Sequence, residues 1–85
     1  MNFIERIKEL CRLEDLSRED FAEMCGMRYT RINNVLNSRG HIRIDELEQI
    51  GNAFPEYKHW IVFGVELPEA GQISPMTKHG TGNSH

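Results

Sequence analysis

No run of about 18 apolar residues occurs anywhere in the chain, so nothing in it reads as a membrane-spanning helix. The first residues, MNFIERIKELCR, mix acids with apolar side chains and offer no small-residue cleavage site. A secretory signal is therefore not expected, and a cytoplasmic location is. Cysteine is scarce: Cys11 and Cys25 are the only two, and neither stands in metal-ligand spacing with a histidine. They read as ordinary buried thiols of a reducing compartment, with a redox-sensing pair as the alternative. The histidines fall singly at 41, 59, 79 and 85, and no nucleophile–base pair or phosphate cradle is visible. No catalysis, cofactor or metal is expected. Strand-like alternation and internal repeats are also missing.

One more absence is the most informative. From Met27 to Arg43 there is not a single acidic residue, while four arginines (Arg28, Arg31, Arg39 and Arg43) stand in the same window. Residues 1–26 carry four basic and seven acidic side chains, and residues 44–85 carry two and six. The formal net charge of −3 therefore hides a local +4. Phosphate affinity follows clustered rather than net charge, because counterions are released where Arg and Lys meet the backbone. An acidic remainder would orient the approach of a basic face to DNA.

What is present reads as helices. Eighty-five residues suit one domain. Ile4, Ile7, Leu10 and Cys11 form one stripe over Phe3–Leu13, with Glu5, Arg6, Lys8, Glu9 and Arg12 on the outer face. Ser17, three residues before Asp20, opens a second helix with a capping-box pattern, and Glu19 and Asp20 suit its positive first turn. Phe21, Ala22 and Cys25 are its buried stripe, and Gly26 its left-handed stop. Two short helices about a glycine turn have the form of a helix-turn-helix. The third helix is expected from about Arg28 to Asn37, with Ile32, Val35 and Leu36 inward. A fourth has Ile44, Leu47, Ile50 and Phe54 on one face. Pro55 opens a fifth, EYKHWIVF, which Gly64 ends.

The outward face of the third helix is chemically unusual. Thr and Asn are middling helix formers, so stability alone does not account for them. A major groove admits one α-helix; there Asn pairs with adenine, Arg with guanine, and Thr with either base or a thymine methyl. Tyr29, Thr30, Asn33 and Asn34 fall on the leading edge of such a helix, flanked by Arg28 and Arg31. These five, Arg28, Tyr29, Thr30, Asn33 and Asn34, are the expected base readers, with Arg31 able to reach phosphate. Ser17 and Arg18 at the start of the second helix, and Asn37, Arg39, His41 and Arg43 beyond the third, are expected on phosphates.

The stretch LSREDFAEMCGMRYTRINNVLNSR resembles the helix-turn-helix of the λ-repressor-like, Cro/C1-type family. Leu16, Phe21-Ala22, Gly26, Ile32 and Val35 carry the likeness, which extends through IDELEQIGNAF to the Trp60–Gly64 ending. The resemblance implies an all-α, five-helix DNA-binding domain over residues 1–64. It implies base reading by Tyr29, Thr30 and Asn34, a phosphate contact at Arg18, and a phosphate-contacting loop with Asn37, Arg39 and His41. Three positions depart from the pattern: Arg28 where Ser or Thr commonly caps, Leu36 where an acid is common, and Ser38 where Gly is.

Single modules of this kind usually act as two-fold dimers on half-sites about 34 Å apart. Trp60, Ile61 and Phe63, with Val65, Leu67 and Ile73 of an extended arm (residues 65–75), are expected to form the seam between copies. Residues 76–85 read as a disordered tail. The expected function is a dimeric repressor of phage or prophage type on a palindromic operator. The alternative is an antitoxin or switch protein whose main task is to bind a toxin or an anti-repressor protein.

Overall fold

The computed structural model describes residues 1–38 and 41–80 of the chain. Six helices occur among them: α1 (Phe3–Leu13), α2 (Arg18–Cys25), α3 (Tyr29–Leu36), α4 (Ile44–Ala53), α5 (Lys58–Phe63) and α6 (Pro75–His79). The described residues contain no strand, only an isolated antiparallel bridge between Leu67 and Gln72. No helix among them is long and apolar enough to cross a membrane.

Local signals set the first two helices. Asn2 caps α1 and Ser17 caps α2, each with a reciprocal capping box through Glu5 and Asp20. Gly26 ends α2 in the left-handed conformation (φ 69°), which a side chain would strain. Its amide, with that of Met27, returns hydrogen bonds to Glu23 and Ala22 carbonyls, closing the tight turn into α3.

The apolar stripes of α1 to α5 meet in one core. Leu10, Phe21 and Ile61 are fully buried, and Ile7, Ile32, Ile50 and Tyr57 nearly so. Phe21 and Phe54 stack at 5.5 Å between ring centroids, tying α2 to the end of α4. Cys11 and Cys25 are free and buried in the same core. Desolvation pushes their thiols up, to about 11 and about 12 respectively, so little reactive thiolate forms at neutral pH.

Several expectations need correcting. Arg6 lies not on the outer face of α1 but buried, its Nε donating to the Ile61 carbonyl at 3.0 Å and its Nη1 to Met1 at 2.8 Å. Carbonyls left over at the end of α5 draw it inward. Ile44, expected on the buried face of α4, is 79% exposed, and Glu46 takes the inward place. Trp60 and Ile61 are core side chains of the single chain, 4% and 0% exposed, and so cannot line a seam between copies. Leu36, Val35 and Ile32 do form the inward face of α3.

The stretch after Gly64 is not an extended arm. It turns back through a 3-10 turn at Pro68–Ala70 and the Leu67–Gln72 bridge. The Gln72 side chain then accepts from the His59 amide (2.8 Å) and donates to the Pro55 carbonyl (2.9 Å), capping the entry to α5. Residues 76–79, placed in the tail on sequence, instead form α6 together with Pro75 of the expected arm. Ser74 caps it, and His79 meets Glu14 at 2.7 Å beside the Tyr57 hydroxyl, which donates to the same carboxylate at 2.6 Å. Proline at its first position and the Ser74 cap are helix-start signals that weak apolar periodicity concealed. Residues 81–85 lie outside the described part.

Candidate nucleic-acid interface

Helix α3 is positioned from three sides. Its inner face sinks Ile32, Val35 and Leu36 into the core, each no more than 3% exposed. At about 25 cal/mol per Å² these side chains outweigh the weak intrinsic helix propensity of the polar ones beside them. On one flank Arg18, from α2, donates through Nη1 to the Asn33 Oδ1 at 2.7 Å and the Asn37 Oδ1 at 3.0 Å. On the other, Arg31 grips Glu46 of α4 in a two-pronged pair, Nε and Nη2 each 2.7 Å from a carboxylate oxygen.

Glu46 is the organising acid of this face. It is 3% exposed, and it also accepts from the Arg43 amide at the start of α4 (2.9 Å). The hydrogen bond from Arg31 holds its carboxyl far below the ordinary range, at about 2, despite burial pulling the other way. Arg31 further donates to the His41 carbonyl, so one guanidinium joins α3, the loop and α4. Gln49 completes the clasp, its Nε2 lying 3.4 Å from the carbonyls of both Cys25 and Gly26. A shallow cavity of about 250 Å³ opens here, walled by Arg28, Arg31, Arg43, Glu46 and Gln49.

Around this frame the outward residues divide. Arg28, Tyr29, Thr30 and Asn34 are exposed, on the first turns of α3. Asn33 is half-buried against Arg18. Ser17 is exposed, but its hydroxyl is already occupied as the cap of α2. Asn37, His41 and Arg43 lie exposed towards and beyond the end of α3. Arg39 falls outside the described residues. Arg31 is drawn into the Glu46 pair, and Arg43 approaches Asp45 at 3.2 Å and Glu46 at 3.5 Å. Among the described residues of the acid-free window, Arg28 alone is an arginine with no carboxylate partner.

That arrangement is a polar helix carried proud of a core, with a glycine turn before it and donors on both flanks. The family model for Helix-turn-helix matches residues 7–60, which span α1 to the middle of α5. The chain belongs to the Cro/C1-type helix-turn-helix family. Among curated proteins, none matches it. Membership makes the protein a DNA-binding transcription regulator, and α2 and α3 its helix-turn-helix.

Sequence reasoning missed Glu46 and Gln49 as organisers of the helix-turn-helix. Glu46 stands three residues after Arg43 at a helix start, where an acid also suits the positive end of the helix without any partner. Its pairing with Arg31 crosses 15 positions and leaves no local mark.

Proposed function

We propose that the protein is a repressor of phage or prophage type that binds a short palindromic operator as a homodimer, with α3 in the major groove. One observation carries this reading. Tyr29, Thr30 and Asn34 are exposed together on a helix whose other face is locked into the core. Thr and Asn on a surface helix turn contribute little to its stability, whereas both match base edges in a major groove. Arg28 at the positive end of α3, without a carboxylate beside it, suits a backbone phosphate. Ser17, Arg18, Asn37, Arg39, His41 and Arg43 remain the proposed backbone contacts. Arg31 acts chiefly through Glu46, as a strut.

For the dimer, Phe63, Val65 and Leu67 take the place vacated by Trp60 and Ile61. They are 68%, 56% and 37% exposed, adjacent in the chain, and apolar. Exposed apolar clusters of this kind favour an interface. Ile73 is half-buried and packs against the core, leaving it a minor part at most.

Selection of bound sequences from a random duplex library tests this, with wild type and Asn34→Ala compared at near-physiological salt. The expected result is a palindromic consensus that loses one position per half-site in the variant, a cost of about 1–3 kcal/mol for each lost pairing. A non-palindromic consensus would remove the dimer. Absence of any enrichment would remove sequence reading and turn attention to a protein partner, such as a toxin, on the Phe63 surface.

A further inference from the structure

Arg43 and Asp45 form an exposed ion pair on the basic face. The Arg43 Nε lies 3.2 Å from the Asp45 Oδ1, and the two side chains are 65% and 69% exposed, open to an incoming ligand. The neighbouring acid, Glu46, is differently placed. It is buried, both of its oxygens are taken by Arg31, and one also accepts from the Arg43 amide. It stands 3.5 Å from the Arg43 Nη2, beyond a good charged hydrogen bond. Glu46 thus answers Arg31, and Asp45 is the acid left facing the Arg43 guanidinium.

An exposed pair of this kind contributes little to stability, since water screens both charges. Asp45 also lies in the first turn of α4, where any acid suits the positive helix end. For a DNA-binding face, however, the position has a cost. A guanidinium releases counterions only where it meets a phosphate. A carboxylate already beside that guanidinium competes for it and repels the phosphate that would replace it.

We propose that Asp45 is an internal competitor for DNA phosphate at Arg43, which lowers the sequence-independent share of binding. The inference rests on Arg43 meeting a backbone phosphate, and it adds to that contact a built-in brake. Asp45 is a positioning residue: it acts on DNA through the Arg43 guanidinium. Base contacts on α3 then carry more of the total affinity than the count of arginines suggests.

The test measures affinity for a random-sequence duplex across a salt series, with wild type, Asp45→Asn, Arg43→Gln and the double variant. Asparagine keeps the shape of the side chain and an acceptor for Arg43, and removes only the charge. Asp45→Asn should bind about three- to tenfold more tightly at about 0.1 M salt, and steepen the salt slope by up to about one. Its Tm should fall by about 2 °C, as the start of α4 loses a favourable charge. Binding and stability then move in opposite directions, which a merely structural acid would not produce. In the Arg43→Gln background the same substitution should change affinity by less than about twofold. Glu48→Gln is the control. It removes an exposed acid three residues further on, with no ion pair among the described residues, and should leave affinity within about twofold.

An Asp45→Asn affinity equal to or below that of wild type overturns the proposal. So does an equal gain in the Arg43→Gln background or in Glu48→Gln, since either makes the effect one of the general field. In those cases Arg43→Gln would still bind more weakly with a lower salt slope, and the phosphate contact would stand. An Arg43→Gln variant that binds as wild type does overturns the contact and the proposal together.

Discussion

The two helices of the helix-turn-helix are built by opposite means. Helix α2 begins with a Ser17–Asp20 capping box, carries acids in its first turn and ends on a left-handed glycine. Every one of those features is local and stabilises a helix on its own. Helix α3 has none of them. Arg28 stands at its N-cap with no side-chain bond, its first turn lacks an acid, and Ser38 adopts a left-handed φ of 60° just past its end. What holds α3 is tertiary: the buried Ile32, Val35 and Leu36, the Arg31–Glu46 pair, and Arg18 on Asn33 and Asn37. A helix fixed from outside leaves its own surface free for other chemistry. The scaffold helix spends its polar residues on itself, and the reading helix does not.

Removing the outside support should therefore have the largest effect. Glu46→Gln is expected to cost about 2 kcal/mol at neutral pH, because it strands Arg31 beside a buried amide. Arg31 is partly exposed and can turn to water, which keeps the loss below that of a fully enclosed pair. The effect should depend on pH. The folded-state carboxyl sits at about 2, below the ordinary 4.5, so its stabilisation is complete above about 4.5 and disappears as pH falls through about 2. Wild type and variant should thus converge at the acid end of a urea-denaturation series. Parallel curves from pH 7 to 2 would show that the pair contributes no linkage.

The next effect reverses sign between stability and binding. Arg28 has the extended backbone of a capping residue (φ −73°, ψ 141°), so a serine there can accept from the amides of the first turn. Arg28→Ser should raise stability by about 1 kcal/mol in thermal melts. It should also weaken binding to every duplex sequence and lower the salt slope by about one. The mirror change in the scaffold helix, Ser17→Ala, should lower stability by about 1 kcal/mol. A destabilised Arg28→Ser protein, or one whose salt slope is unchanged, would contradict the assignment of Arg28 to phosphate.

This contrast also explains how much could be read from the sequence. The caps of α2, the Gly26 stop, the core stripes of α2 and α3 and the family likeness all depend on residues within a few positions of one another. They survive in the fold. The electrostatics were less legible, since the acid-free window is partly neutralised by Glu46 and Asp45 lying just outside it. Burial of Arg6 and Glu46 depends on partners 55 and 15 positions away, beyond the reach of periodicity. Trp60 and Ile61 were misassigned for a related reason. The core volume that receives them comes from α1 and α4, distant in the chain, and leaves no trace in the local pattern of their helix. Phe63 and Val65 are what remains outside.

The smallest expected effect lies at the far end of α3. Ser38 occupies the same left-handed region as Gly26, φ 60° against 69°. There a β-carbon costs about 1 kcal/mol, and glycine costs nothing. Some of that gain is returned, since glycine also loosens the unfolded chain. Ser38→Gly should therefore stabilise the protein by about 0.5 kcal/mol, a rise in Tm of about 2–4 °C for a domain of this size. Gly26→Ser imposes the same strain on α2 and should lower Tm by at least as much. If Ser38→Gly instead lowers Tm, the serine must hold the end of α3 through an interaction that outweighs its backbone strain. The two helices would then differ less in how they stop than in how they start.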